Sequence, residues 1–305
     1  MVGAILSEEP PARATTAGPA LSVVVCTWEN PDALELSLTS LARQTRQDFE
    51  IIVADDGSGE TTAGVIANFA RRSRLPTLHL WQAHRGPRKC TLLNRAIVAA
   101  RGPYLLFLDG DCLLPRHAIA AHLRLRRPGC WLAGGTVLLG REATRSLDRA
   151  QVDAGATEGW RALALRARRS RRLLAGLVPG LAALLDGLAL RRPVGWRGGH
   201  SSAWRNDLLA VAGFDERFGL GLEDKDLAQR LRVAGLAGRS IRYRVPMLHL
   251  DHERPASQTT QIESNQLLLA ENRRAGVSRT AFGIAAADAA PIEGSLSAAG
   301  GREVP

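Results

Sequence analysis

Cysteine is scarce in this chain: only Cys26, Cys90, Cys112 and Cys130 occur, with no CxxC pair. Three of the four sit inside apolar stretches, which predicts reduced, mostly buried thiols and a cytosolic setting. Lysine is scarcer still. Lys89 and Lys225 are the only two, so 38 of the 40 basic residues are arginine. Long apolar runs are missing too: the longest, Leu173 to Leu185, contains Pro179, whereas a membrane-crossing helix needs about 20 apolar residues. The N-terminus lacks a basic stretch followed by an apolar one, which argues against a secretory signal. The turn after the first apolar run, Thr27-Trp28-Glu29-Asn30, has no glycine. That disfavours a dinucleotide oxidoreductase, which needs GxGxxG there, and a nucleotidyltransferase with a glycine-rich phosphate loop. There is no internal repeat.

What is present is ordinary in bulk. The chain has 305 residues, 45% hydrophobic and 23% charged, enough to bury a real core in one large α/β domain or two small ones. Forty basic against thirty acidic residues leave +10. The arginine skew accompanies abundant Ala, Gly and Leu, a mark of biased codon usage as much as of a selected charge surface. Anionic partners are favoured, but nucleic acid is not implied by charge alone.

Apolar and helical stretches alternate along the first half. Residues 21–26, 50–54, 78–81 and 104–108 read as strands, and 31–43, 61–72 and 89–100 as helices. The strands lack strict polar alternation, so a mostly parallel sheet with helices on both faces is expected. After residues 137–139 the rhythm breaks. Residues 141–194 read as an arginine-rich helical insertion, in which Trp160, Leu163, Leu165, Leu173, Leu174 and Leu177 interleave with Arg161, Arg166, Arg168, Arg169, Arg171 and Arg172. This is either a solvated cationic face or a segment lying on anionic lipid. Residues 195–204 return to turn and strand, 223–233 look helical and 241–250 extended. The expected organisation is a loose tail at 1–20, one half-domain at 21–140, the insertion, a second half-domain at 195–274, and a low-complexity tail at 275–305.

Acidic clusters follow two of the strands: Asp55-Asp56-Gly57-Ser58 and Asp109-Gly110-Asp111. In a parallel sheet ligands bind beyond the carboxyl ends of strands. Two carboxylates delivered there by an apolar strand invite a hard cation, Mg²⁺ or Mn²⁺, with positions left open for phosphate oxygens. Farther on, Glu223-Asp224 follows a glycine-rich loop and supplies two carboxylates, one able to orient a substrate and the other to take a proton. His249 and His252 end the last extended segment and are candidate metal ligands.

In this order, strand–DDGS–helix–strand–DGD, then GGHSSAW, GFDERFGLGLEDKDLAQRL and HLDHERP, the chain resembles family 2 glycosyltransferases of the GT-A fold. Its distal part looks like the galactosyltransferase-type region of bacterial polysaccharide and lipopolysaccharide enzymes and of chondroitin-type polymerases. The resemblance spans residues 21–255. The family's first strand ends in Pro-Thr-Tyr-Asn, kept only loosely here as Cys26-Thr27-Trp28-Glu29. It implies that Thr27, Asp55 and Asp56 contact base or ribose. Arg88, ahead of Leu92-Leu93-Asn94, contacts the nucleotide. Asp109 and Asp111 hold the nucleotide sugar through Mn²⁺ or Mg²⁺, with His252, or alternatively His249, as a further ligand. Asp224 is the catalytic base and Glu223 orients the acceptor.

The implied reaction is an inverting transfer from a nucleotide-sugar donor, by resemblance a UDP-sugar, to a glycan or glycolipid hydroxyl in cell-surface polysaccharide biosynthesis. The implied location is cytoplasmic or peripheral on the inner face of the membrane, with an anionic membrane as a partner and no nucleic acid. Two alternatives are weighed beside it: a nucleotidyltransferase acting on sugar phosphates, and a non-catalytic basic nucleic-acid-binding protein. The last explains the charge but not the acids at strand ends.

Overall fold

The structure, a computed structural model, describes residues 18–86, 88–159, 161–164, 171–189, 193–219, 221–252 and 258–285. Its centre is a seven-stranded sheet. The strands are β1 (Leu21–Thr27), β2 (Phe49–Asp55), β3 (Thr77–Trp81), β4 (Tyr104–Asp109), β6 (Cys130–Ala133), β8 (His200–Trp204) and β9 (Ala237–Ser240), in the order β3-β2-β1-β4-β8-β6-β9. All neighbours run parallel except β8, which is antiparallel to both β4 and β6. A second sheet orders β5 (Cys112–Leu113), β10 (Pro246–His249) and β7 (Gly135–Leu138) as β5-β10-β7. The expected mixed α/β architecture, a largely parallel sheet between helices, is what the chain forms.

Alternate residues of the buried strands feed opposite faces. Leu21, Val23 and Val25 pack on one side with Leu34, Leu38 and Leu41 of α1 (Pro31–Ala42), Ile66 and Phe69 of α2 (Glu60–Ser73) and Ile119 of α4 (Ala118–Leu125). Val24 and Phe107 pack on the other with Leu92 and Ile97 of α3 (Lys89–Ala99). Leu208 of α10 (Arg205–Ala210), Leu227 and Leu231 of α11 (Glu223–Val233) and Leu269 of α12 (Gln258–Ala275) join that second face.

The described part of 141–194 is helical: α5 (Arg141–Arg145), α6 (Arg149–Asp153), α7 (Arg161–Ala164), α8 (Arg171–Gly176) and α9 (Pro179–Ala189). Arg166, Arg168 and Arg169 lie outside the described residues, as do residues 1–17 and 286–305.

Two expectations need correction. Residues 241–250 are not one extended segment. A turn at 241–245 separates β9 from β10, because buried Asp186 of α9 accepts the Tyr243 and Arg244 N–H groups and holds that bend. The tail expected from residue 275 does not begin there either. Residues 276–285 pack onto the domain, with Ile284 N–H donating to Ala212 O, Glu216 N–H to Phe282 O, and Thr280 Oγ1 to Asp215. Alanine and glycine content concealed Thr280, Phe282 and Ile284, whose spacing is irregular.

Candidate active site

Strand register puts the chemistry on one edge. Thr27 lies opposite Asp55, and Cys26 opposite Asp109, so β1, β2 and β4 end together. The antiparallel β8 begins where they end, with His200 opposite Leu108. The Gly198-Gly199 pair before it therefore lies over the carboxylates. A side chain at Gly199 would place its Cβ 2.5 Å from Asp109 Oδ2, and one at Gly198 would meet Asp224 Oδ1 at 3.1 Å. The two glycines are there for close approach. Gly110 serves the same purpose between its aspartates: its N–H donates to Cys26 O at 2.7 Å, and a Cβ would crowd Thr27.

The distal acids arrive on the first turn of α11, after Leu222 in the left-handed region at φ 71°, a strain that clusters at functional sites. Asp224 Oδ2 accepts the Gly198 N–H at 2.7 Å. Asp224 Oδ1 and the Oε2 of buried Glu223 accept no hydrogen bond among the described residues. Burial, reinforced by the neighbouring Glu223 charge and the more distant Asp109, pushes the Asp224 carboxyl up to about 7, against the pull of Lys89 and the Gly198 N–H. A half-protonated acid with an unoccupied oxygen is suited to accept a proton near neutral pH.

Lys89, one of the two lysines, ties these acids together. Its Nζ lies 3.0 Å from Asp109 Oδ1 and 3.9 Å from Glu223 Oε1. Burial would lower its pKa, but Asp109, Cys26, Glu223 and Asp224 outweigh that and raise it well above the usual value, so it stays charged. Sequence reasoning passed over Lys89 in favour of Arg88. The rarity of lysine in a chain with 38 arginines was the available signal.

Asp111 faces away from Lys89, toward the second sheet. Antiparallel pairing sets His249 opposite Cys112, and Leu250 N–H donates to Asp111 O at 2.9 Å. His249 Nε2 lies 3.6 Å from Asp111 Oδ1, and His252 Nε2 3.2 Å from Oδ2. His249 Nδ1 sits 2.7 Å from Leu250 O, which can only accept, so Nδ1 carries a proton and Nε2 is the ring atom turned toward Asp111. Ligands about 2.1 Å from one ion at 90–110° stand about 3.0–3.4 Å apart. The His252–Asp111 spacing falls in that window and the His249–Asp111 spacing just outside it; all three ligand atoms lie within 4.8 Å of one another, a group that could close on a divalent cation. Asp109 forms a second group with Asp111 and Cys112, and also pairs with Lys89 at 3.0 Å.

The remaining expected residues gather at the ends of β1 and β2. Asp56 accepts Gln82 Nε2 at 2.6 Å and the Arg88 N–H at 3.3 Å. The half-exposed Trp28 ring stacks on His84 at 4.7 Å, forming an aromatic platform beside Asp56. Arg88 caps α3, and its guanidinium donates to Ala83 O. Asp55 does not face the cleft as expected. It is fully enclosed, with Oδ2 2.9 Å from His79 Nε2 and Oδ1 accepting the Ser58 N–H at 2.8 Å. Burial would raise its pKa, yet those hydrogen bonds prevail and hold it below the usual carboxylate range. Asp55 braces the turn that presents Asp56. The thiols are buried or partly buried, and burial pushes Cys26 up to about 12.

This geometry has relatives. Residues 22–165 match the family described as Glycosyl transferase family 2. They form a family 2 glycosyltransferase domain. Over 119 residues the chain is 37% identical to validoxylamine A glucosyltransferase of Streptomyces hygroscopicus subsp. limoneus, covering 37% of this chain and 26% of that one. Over 129 residues it is 30% identical to the Campylobacter jejuni GalNAc(5)-diNAcBac-PP-undecaprenol beta-1,3-glucosyltransferase, covering 42% and 41%. The alignments thus span between a quarter and two-fifths of these relatives. The structure resembles the mannosyltransferase PcManGT of Pyrobaculum calidifontis, solved with GDP-Man and Mn²⁺, at TM-score 0.55 and 17% identity over 85% of this chain and 65% of that one. The family 2 domain therefore has the GT-A fold. The acids of α11 and the two histidines, His249 ending β10 and His252 beyond it, lie outside its matched residues.

Proposed function

We propose that the chain is an inverting, metal-dependent glycosyltransferase that moves a sugar from a nucleotide-sugar donor, a UDP-sugar by preference, to a hydroxyl of a glycan or glycolipid. One observation carries this reading: a cation-ligand set, Asp111, His249 and His252, shares an edge with Asp224, whose open oxygen awaits a proton. The names of the relatives support the class, and the Campylobacter enzyme's name supports a lipid-linked acceptor.

In this reading the nucleoside stacks on Trp28 and meets Asp56. A bound divalent cation, Mn²⁺ better than Mg²⁺ because two ligands are imidazoles, would offset charge on the departing diphosphate. Lys89 supplies a fixed positive charge beside Asp109 and the acid pair. Glu223 orients the acceptor and Asp224 Oδ1 takes its hydroxyl proton. The acceptor oxygen bonds to the anomeric carbon as the carbon–phosphate-oxygen bond breaks, and the nucleoside diphosphate leaves with the electron pair. One displacement inverts the configuration.

The test is to incubate the chain with UDP-, GDP- and dTDP-sugars, with Mn²⁺ or Mg²⁺, and to follow nucleoside diphosphate release. Turnover that requires a metal and disappears in Asp224→Asn, while donor binding persists, is the expected result. Release that is indifferent to metal and to Asp224 would overturn the reading.

A further inference from the structure

Helix α9 is built inside out. Its single ionisable residue, Asp186, is 1% exposed and points into the protein. There Asp186 Oδ1 accepts from Ser240 Oγ and the Tyr243 N–H, and Oδ2 from the Arg244 N–H, each at 3.2 Å. The Arg244 Nε lies 3.5 Å from the same Oδ2. At 3.6 residues per turn, Leu181, Leu184 and Leu188 fall within about 40° of the direction opposite Asp186. They are 44%, 60% and 47% exposed, and Leu174, Leu177 and Val178 prolong the patch. A helix on a water-facing surface turns its leucines inward and its charge outward. Here the order is reversed along the outer face of α9, and an exposed leucine face of this kind marks an interaction site.

The charge of this stretch of sequence points to what covers it. From residue 159 to 206 Asp186 is the sole acid, against ten arginines. Five of these, Arg166, Arg168, Arg169, Arg171 and Arg172, precede the leucines in sequence, and Arg191 and Arg192 follow them. A second copy would bring like charge against like. The complementary partner is anionic at its surface and apolar beneath. No described helix is long and apolar enough to cross a membrane.

We propose that α8 and α9 dock the chain on an anionic phospholipid bilayer, with the leucines at the acyl boundary and exposed Arg171, at the start of α8, toward the headgroup phosphates. Leu173 roots the pair in the cluster of Leu248 and Leu250, beside the strand that ends in His249. The docked face and the cation ligands therefore share one rigid support. This proposal goes beyond the transfer reaction and does not depend on which sugar is moved.

Cosedimentation of the full chain with vesicles tests it, using phosphatidylglycerol and phosphatidylcholine at about 30:70. Binding is expected, weakening at least about tenfold on pure phosphatidylcholine or in about 1 M salt. The exposed triple variant Leu181→Ser, Leu184→Ser, Leu188→Ser should lose at least about tenfold in partitioning with an unchanged thermal midpoint. In Leu184→Trp, emission should shift to the blue and be quenched by brominated lipid when vesicles are added. Undiminished sedimentation of the triple variant would overturn the proposal. So would an unmoved emission from vesicle-bound Leu184→Trp protein. A concentration-dependent dimer that the leucine changes abolish, in a chain that ignores vesicles, would assign the face to a second copy instead.

Discussion

Asp224 answers two opposed demands. In the proposed mechanism it must be deprotonated to work, yet its placement beside Glu223 and away from water favours the protonated form. With its carboxyl near pH 7, transfer should rise about tenfold per pH unit up to that point and then level off. A pH profile of kcat/KM under saturating metal checks this. Asp224→Asn should cost about 10²–10⁴ in kcat with donor affinity retained. The same shift acts on stability. The folded pKa lies above the unfolded one, so this group stabilises fully below about pH 4, and the contribution is lost as pH rises toward 7. Asp224→Asn should therefore raise the thermal midpoint at pH 8 and leave it nearly unchanged at pH 4. Lys89 opposes the upward shift. Lys89→Gln should move the acidic limb of the profile to higher pH, and Lys89→Arg should restore part of it. A profile that does not move would reduce Lys89 to a packing role.

Which residues sequence could reveal depended on whether partner and position are local. Asp109-Gly110-Asp111 was legible because an apolar strand must deliver its last residues to the sheet edge. The enclosure of Asp55 was not legible, because its neighbour Asp56 is chemically identical and only the arrival of His79 from β3 tells the two apart. Glu223 and Asp224 were legible from the glycine-rich approach. The partner for Asp224 was not, since Gly198 lies 26 residues away along the chain.

Among the elements, β8 does the least expected work. Because it runs against β4, the residues before it rather than after it reach the cleft. Gly199→Ala should force Asp109 aside, the added methyl meeting a carboxylate oxygen at 2.5 Å. Donor affinity measured by calorimetry should fall by tenfold or more, about 1.4 kcal/mol, with the fold intact by circular dichroism. The alternation of the first half was readable because each strand and helix there buries its own apolar stripe. The second sheet was not, since β5 and β7 are two and four residues long and become strands only through pairing with β10. Asn94 makes the clearest tie between the halves. Its side chain accepts the Phe214 N–H at 2.7 Å and donates to Phe214 O and Glu216 Oε1. Asn94→Leu should cost about 2–4 kcal/mol in chemical denaturation, since it leaves buried backbone groups unpaired.

Across the whole molecule, the cation-ligand set joins residues from distant stretches, and a bound ion would hold them closed. Saturating Mn²⁺ at about 100 times its dissociation constant should stabilise the fold by about 2.7 kcal/mol, seen as a rise in thermal midpoint. Asp111→Ala or a chelator should abolish the rise. An equal rise in Asp111→Ala would move the cation elsewhere.

Order of synthesis gives β10 a last consequence. This strand wedges between β5 and β7, which leave the ribosome more than a hundred residues earlier and wait with their inner edges unfilled. A nascent chain can assemble its nucleotide-facing edge long before it owns either histidine. Any copy cut short ahead of residue 246 thus lacks two of the three proposed cation ligands, and on the proposed mechanism it should release no nucleoside diphosphate.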